Sequence, residues 1–93
     1  MFTHVVLFKS PDRAAAEAAR AALLSMRETV SVLREIEVGV DEGGGPRSWS
    51  LCLITRFDSE ADYRVYATHP EHEQVKRILN PLTTEAAVVD WGG

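Results

Sequence analysis

The chain has 93 residues and a mass of 10.3 kDa, with ten Lys and Arg against fourteen Asp and Glu for a formal net charge of -4, and it is 45% hydrophobic and 26% charged. That length suits one domain spanning residues 1–93, and the composition argues against intrinsic disorder and against a nucleic-acid binder held by bulk positive charge. No apolar run approaches the roughly 18 residues of a membrane-spanning helix; Met1 leads into strand-like sequence without the basic lead-in of a secretory leader; and the single cysteine, Cys52, has no internal disulfide partner, so a reducing, cytoplasmic setting is expected.

Phe2-Thr-His-Val-Val-Leu-Phe-Lys9 is rich in β-branched and aromatic residues and reads as a strand. Period-two alternation puts His4, Val6 and Phe8 on one face and Thr3, Val5 and Leu7 on the other. Both faces are largely apolar, which predicts burial on both sides. Ser10-Pro11-Asp12 reads as a helix start, with Ser10 as cap, Pro11 at the first helical position and Asp12 against the positive helix end. The alanine-rich stretch to about Thr29 favours helix. Ala15, Ala18, Ala19, Ala22, Leu23 and Met26 form its apolar stripe, with Arg13, Glu17, Arg20 and Arg27 mostly off it.

Leu33–Val40 alternates at Ile36, Val38 and Val40 as a second strand. Asp41–Arg47 holds three glycines and a proline and reads as a loop. It lacks the Lys-Ser/Thr and the following helix of a phosphate loop, so it is read as a hairpin connection. Ser48–Phe57 is a third strand, with Trp49, Leu51, Leu53, Thr55 and Phe57 on one face and Cys52 and Ile54 on the other. Ser59-Glu-Ala-Asp62 resembles a capping box and opens a short helix carrying Tyr63 and Tyr66. His69-Pro70 breaks that helix. Pro70 opens a second piece whose predicted buried side is Val75, Ile78, Leu79 and Leu82, and Asn80-Pro81 ends it. Ala86–Trp91 is the fourth strand. The order β-α-β-β-α-β makes a ferredoxin-like α+β fold with a four-stranded antiparallel sheet. Helices in such a fold cover one sheet face. The second apolar face therefore predicts a homodimer that pairs open faces, as in a dimeric α/β barrel.

Chemistry is sparse. Cys52 sits mid-strand and reads as an inert thiol, and Ser48 and Ser50 lack the setting of a nucleophile elbow. His69 and His72 are three apart, but Pro70 puts His69 outside the helix and no cysteine cluster supports zinc, so no metal or cofactor is expected. His72 falls in the first turn of the helix opened by Pro70. The positive helix end and burial both favour a neutral ring there, which accepts a proton near physiological pH. Tyr66 is placed to orient a ligand oxygen, and His4 to hold the substrate or steady developing negative charge. The alternative is a buried polar cluster that pins the helix break, and spacing alone favours it.

Taken in order, His4-Val-Val-Leu-Phe-Lys9, Glu37-Val-Gly-Val-Asp41, Phe57-x5-Tyr63-x2-Tyr66, His69-Pro-x-His72 and Val88-Val-Asp-Trp91 resemble the stress-responsive A/B barrel (Dabb) family over essentially the whole chain. The resemblance implies a ferredoxin-like fold that dimerises into an α/β barrel. The family's roles are largely uncharacterised, with links to stress responses. Its olivetolic acid cyclase-like members close a linear polyketide by aldol condensation without a cofactor. Their strand-one histidine matches His4, the tyrosine three residues before the His-Pro pair matches Tyr66, and the histidine two residues after that proline, the base, matches His72. The glycine loop and the alanine-rich helix depart from those members, so pocket size and substrate do not transfer. The expectation is a homodimer binding a small organic molecule between sheet and helices. If it is an enzyme, it performs cofactor-independent proton transfer with His72 as base and Tyr66 and His4 as positioning groups. The alternative is a non-catalytic stress-associated dimer acting by ligand or partner binding. An open cavity reaching both His4 and His72 separates the first from the second. A heme- or oxygen-using monooxygenase is a third class, but the spacing of His4, His69 and His72 specifies no iron site.

Overall fold

Strand-forming and helix-forming stretches alternate along the chain, and the elements follow them. The computed structural model describes residues 1–93. It runs β1 (Phe2–Lys9), α1 (Arg13–Leu24), β2 (Glu35–Val40), β3 (Leu51–Phe57), α2 (Glu60–Ala67), α3 (Pro70–Leu79) and β4 (Glu85–Gly92), with a short 3-10 turn, Ser25–Arg27, continuing α1. The strands form one antiparallel sheet in the order β2-β3-β1-β4. Val6 lies opposite Leu53 on one side and Val88 on the other, and Leu53 lies opposite Val38. This is the ferredoxin-like α+β arrangement, with α2 and α3 as two short helices broken at His69-Pro70. No helix is long and apolar enough to cross a membrane.

The core lies between the sheet and the helices. Phe57, Leu23, Met26, Leu53 and Val30 are its largest fully buried apolar side chains besides Tyr66. Each contributes about 1.5–3 kcal/mol by leaving water. The buried stripe of α1 is Ala16, Ala19 and Leu23, with Met26 in the turn beyond. Ala18, expected on the stripe, is exposed, and Ala16, not expected there, is buried. Alanines are interchangeable in a helix, so Leu23 and Met26 set the buried face. Ala19, four residues before Leu23 and seven before Met26, and Ala16, seven before Leu23, then follow it.

The cap of α1 is Asp12, not Ser10. Asp12 is in extended backbone, and its carboxylate accepts from the Ala15 N–H at 2.8 Å. Ser10 serves the loop instead: its hydroxyl donates to the Leu82 carbonyl and its N–H to Ser50 Oγ. On α3 the contact is made by Val75 and Leu79, four apart on one face, while Ile78, expected on the buried side, is 47% exposed.

No helix covers the other sheet face. Ile54, Val5 and Val89 form one row across it, and Cys52, Leu7 and Ala87 the next. Val89 is 63% exposed and Trp91 47%. The two-sided strands read from the sequence thus leave one apolar face open.

Candidate functional site

The site is built at the break between α2 and α3. Ser59 opens α2, its hydroxyl accepting from the Asp62 N–H. A residue before proline avoids helical backbone, and His69 is accordingly extended, with its Nδ1 accepting from the Glu71 N–H at 3.1 Å. Its ring is thus committed to capping α3. The break sets Tyr66, in the last turn of α2, against His72, in the first turn of α3, with ring centroids 4.4 Å apart.

His72 Nδ1 lies 3.0 Å from the Ala67 carbonyl. A carbonyl only accepts, so Nδ1 carries the proton and Nε2 is left as the basic nitrogen. Burial lowers the pKa of His72 below the ordinary value of 6.5, and the Lys76 charge acts in the same direction. The ring is therefore neutral at physiological pH. Tyr66 is 1% exposed, and its hydroxyl is buried with no hydrogen-bond partner. Burial also pushes its pKa far up, so it is a phenol donor and not a phenolate. A buried polar group with nothing to bond costs about 1–3 kcal/mol and calls for an explanation.

His4 reaches the cluster from β1. Its Nδ1–H donates to the carboxylate of Asp90, its cross-strand partner on β4. The Thr55 hydroxyl donates to the His4 carbonyl at 3.2 Å and anchors the strand there. Tyr63 completes the aromatic group, 4.8 Å from the His4 ring and 5.2 Å from Phe2. Burial raises its pKa, with the Asp90 charge acting in the same direction.

His4, Tyr63, Tyr66 and His72 line one cavity of about 200 Å³ between sheet and helices. Val6, Leu53, Val75 and Leu79 are among its apolar walls. Lys76 and Val88 also line it and are its most exposed members, which puts its mouth between α3 and β4. Three larger grooves, about 440, 430 and 270 Å³, lie on the outer surface. In the first, Arg34 is paired with Asp58 and Arg56 with Glu35. Size alone would choose these grooves; the chemistry lies in the smaller cavity. Nowhere do three His, Cys, Asp or Glu side chains converge as metal ligands. Cys52 is on the open sheet face, its pKa pushed up by burial and by Glu37.

The structure brings His4, Tyr66 and His72 together around one cavity. Three neighbours were not singled out from the sequence. Asp90 depends on a β1–β4 register that a single sequence does not reveal, although it shares strand parity with Val88. Tyr63 stands in the sequence as a helix residue and a member of the family motif, without a role at the site. Lys76 carries a readable signal, its position four residues after His72.

The model of the Dabb family, the stress responsive A/B barrel domain, matches residues 2–92. A stress-response A/B barrel domain-containing protein of Arabidopsis thaliana is 27% identical over 96 residues, which cover 95% of this chain and 35% of that protein. This chain thus spans little more than a third of that relative's length. Among solved structures, a dimeric protein of unknown function with a ferredoxin-like fold from Bacteroides fragilis is 33% identical, covering 97% of this chain and 93% of its own at a TM-score of 0.85. A hydroxynitrile lyase from Passiflora edulis superposes at a TM-score of 0.82 with 14% identity over 97% of this chain and 90% of its own, a likeness of fold. On the family match over nearly its whole length, the chain belongs to the stress-responsive A/B barrel domain family.

Proposed function

We propose that the protein is a homodimer in which each protomer binds a small organic carbonyl compound in the cavity beside His72 and transfers a proton within it. The observation that carries this reading is the unpartnered Tyr66 hydroxyl next to a neutral imidazole whose Nδ1 is tied to Ala67. One group is an unspent donor and the other an unspent acceptor. In this reading His72 Nε2 takes a proton from the carbon next to the ligand carbonyl. The C–H bond breaks, an N–H bond forms, and the electron pair moves into an enolate whose oxygen accepts from Tyr66, with His4, held by Asp90, positioning the ligand. The imidazolium then returns its proton to carbon, or the enolate attacks a second carbonyl in an aldol closure and the imidazolium protonates the alkoxide that forms. Neither outcome needs a cofactor.

The volume supports a small ligand. About 200 Å³ is below the 300–1,000 Å³ of a drug-sized pocket and equals the liquid volume of roughly seven waters. That suits a one-ring or short branched carbonyl compound better than a long polyketide. The uncovered row of Val5, Ile54 and Val89 supports the dimer, as does the dimeric Bacteroides fragilis relative.

The test is His72→Ala, assayed by NMR as deuterium exchange at the carbon next to the carbonyl in aryl ketones and aldehydes. A general base contributes about 10²–10⁴-fold, so exchange falls by that factor. Full-rate exchange in the variant removes His72 as the base. A second reading rests on the partners already engaged: His4 with Asp90 and His72 with Ala67. Here the dimer sequesters its ligand without turning it over, and the same compounds bind but do not exchange.

A further inference from the structure

One side chain at the cavity rim bears on the charge of the ligand. Lys76 follows His72 by four residues on α3, so both lie on the same helix face. Both line the cavity, His72 within it and Lys76 at the mouth. The Lys76 ammonium is held 2.9 Å from the Glu73 carboxylate. That contact restrains the long side chain at the rim, with half its surface still open to solvent.

His72 is neutral and Tyr66 a phenol, so among these lining groups Lys76 carries the full charge, with its counter-ion Glu73 outside the lining. The nearby carboxylates are Asp90, which faces His4, and Glu73, which faces Lys76; neither lines the cavity. We propose that Lys76 makes the cavity selective for small carbonyl compounds that also bear a carboxylate, with the acid group at the rim and the apolar body and carbonyl inside. This rests on the binding reading above and assigns the ligand's polarity within it. A single ammonium is a compact point charge that suits one carboxylate. The phenol and imidazole stay free for the carbonyl end. Glu73 sets the orientation but competes with the ligand for the ammonium, so binding draws Lys76 partly away from it.

The experiment is a calorimetric titration of the dimer with phenylpyruvate and with its uncharged methyl ester. The expected result for the wild type is about tenfold or more tighter binding of the acid, as for a charge-assisted contact, with the margin narrowing as salt is raised. Lys76→Met keeps the apolar stem and removes the charge. It should weaken the acid alone, until acid and ester bind equally, while Lys76→Arg keeps the preference. Equal binding of acid and ester by the wild type, or a preference that survives Lys76→Met, overturns the assignment of Lys76 and leaves the cavity reading standing. Binding of neither compound overturns the cavity reading itself, and this assignment with it.

Discussion

Replacing Tyr66 by Phe separates a site from a structural cluster, because the two roles give opposite signs. The ring is 1% exposed and packs 5.0 Å from Phe57 and 4.4 Å from His72, contacts that Phe retains. What the change removes is a buried hydroxyl with no partner. Relieving it is worth about 1–3 kcal/mol. The vacated oxygen leaves a void of roughly 15 Å³, which at 24 cal/mol per Å³ costs about 0.4 kcal/mol. The unliganded variant should therefore be more stable by about 0.6–2.6 kcal/mol. For a domain of this size that raises Tm by about 2 °C or more, readable by calorimetry or a circular-dichroism melt. The same variant should lose ligand affinity and exchange activity. A Tyr66→Phe protein less stable than the wild type by about 1 kcal/mol would mean that the hydroxyl is bonded in the resting protein. The argument for an unspent donor would then fail.

Other consequences concern the dimer, pH and the second histidine. Val89→Asp puts a charge into the uncovered row with Val5 and should convert a dimer of twice 10.3 kDa into single chains in sedimentation; an unchanged mass would mean that the sheet face is not the interface. Because the His72 pKa is lowered from 6.5 in the folded protein, the unfolded chain binds more protons just below that value. Stability should therefore fall as pH drops through 6.5 toward the folded pKa and level off beneath it, and His72→Asn should remove that slope from denaturant melts. Asp90→Asn takes the carboxylate from His4 and should lower exchange activity while Tyr66 and His72 keep their packing; full activity would leave His4 without a positioning role.

Local chemistry made much of this architecture legible. Ser59 with Asp62, the His69-Pro70 break and the alternation of Phe2–Lys9 each act within a few residues, and each appears in the structure as read. His4, Tyr66 and His72 were recognisable as a group through the family resemblance, and the open sheet face through the two-sided strands. What was not legible is set at a distance or among equivalents. The Asp90–His4 pair depends on how β4 aligns with β1. The buried face of α1 could not be chosen among near-identical alanines until Leu23 and Met26 were packed. The cap of the same helix went to Asp12 because Ser10 is engaged with Leu82 and Ser50 across the fold. Whether the Tyr66 hydroxyl finds a partner depends on every neighbouring element at once.

The most direct measurement is a crystal structure of the dimer grown with phenylpyruvate. The ligand should lie in the cavity between sheet and helices, its carbonyl oxygen within hydrogen-bond distance of Tyr66 Oη and the adjacent carbon facing His72 Nε2. A ligand seated only in the outer groove of Arg34 and Arg56, with the cavity collapsed around Tyr66, would contradict it.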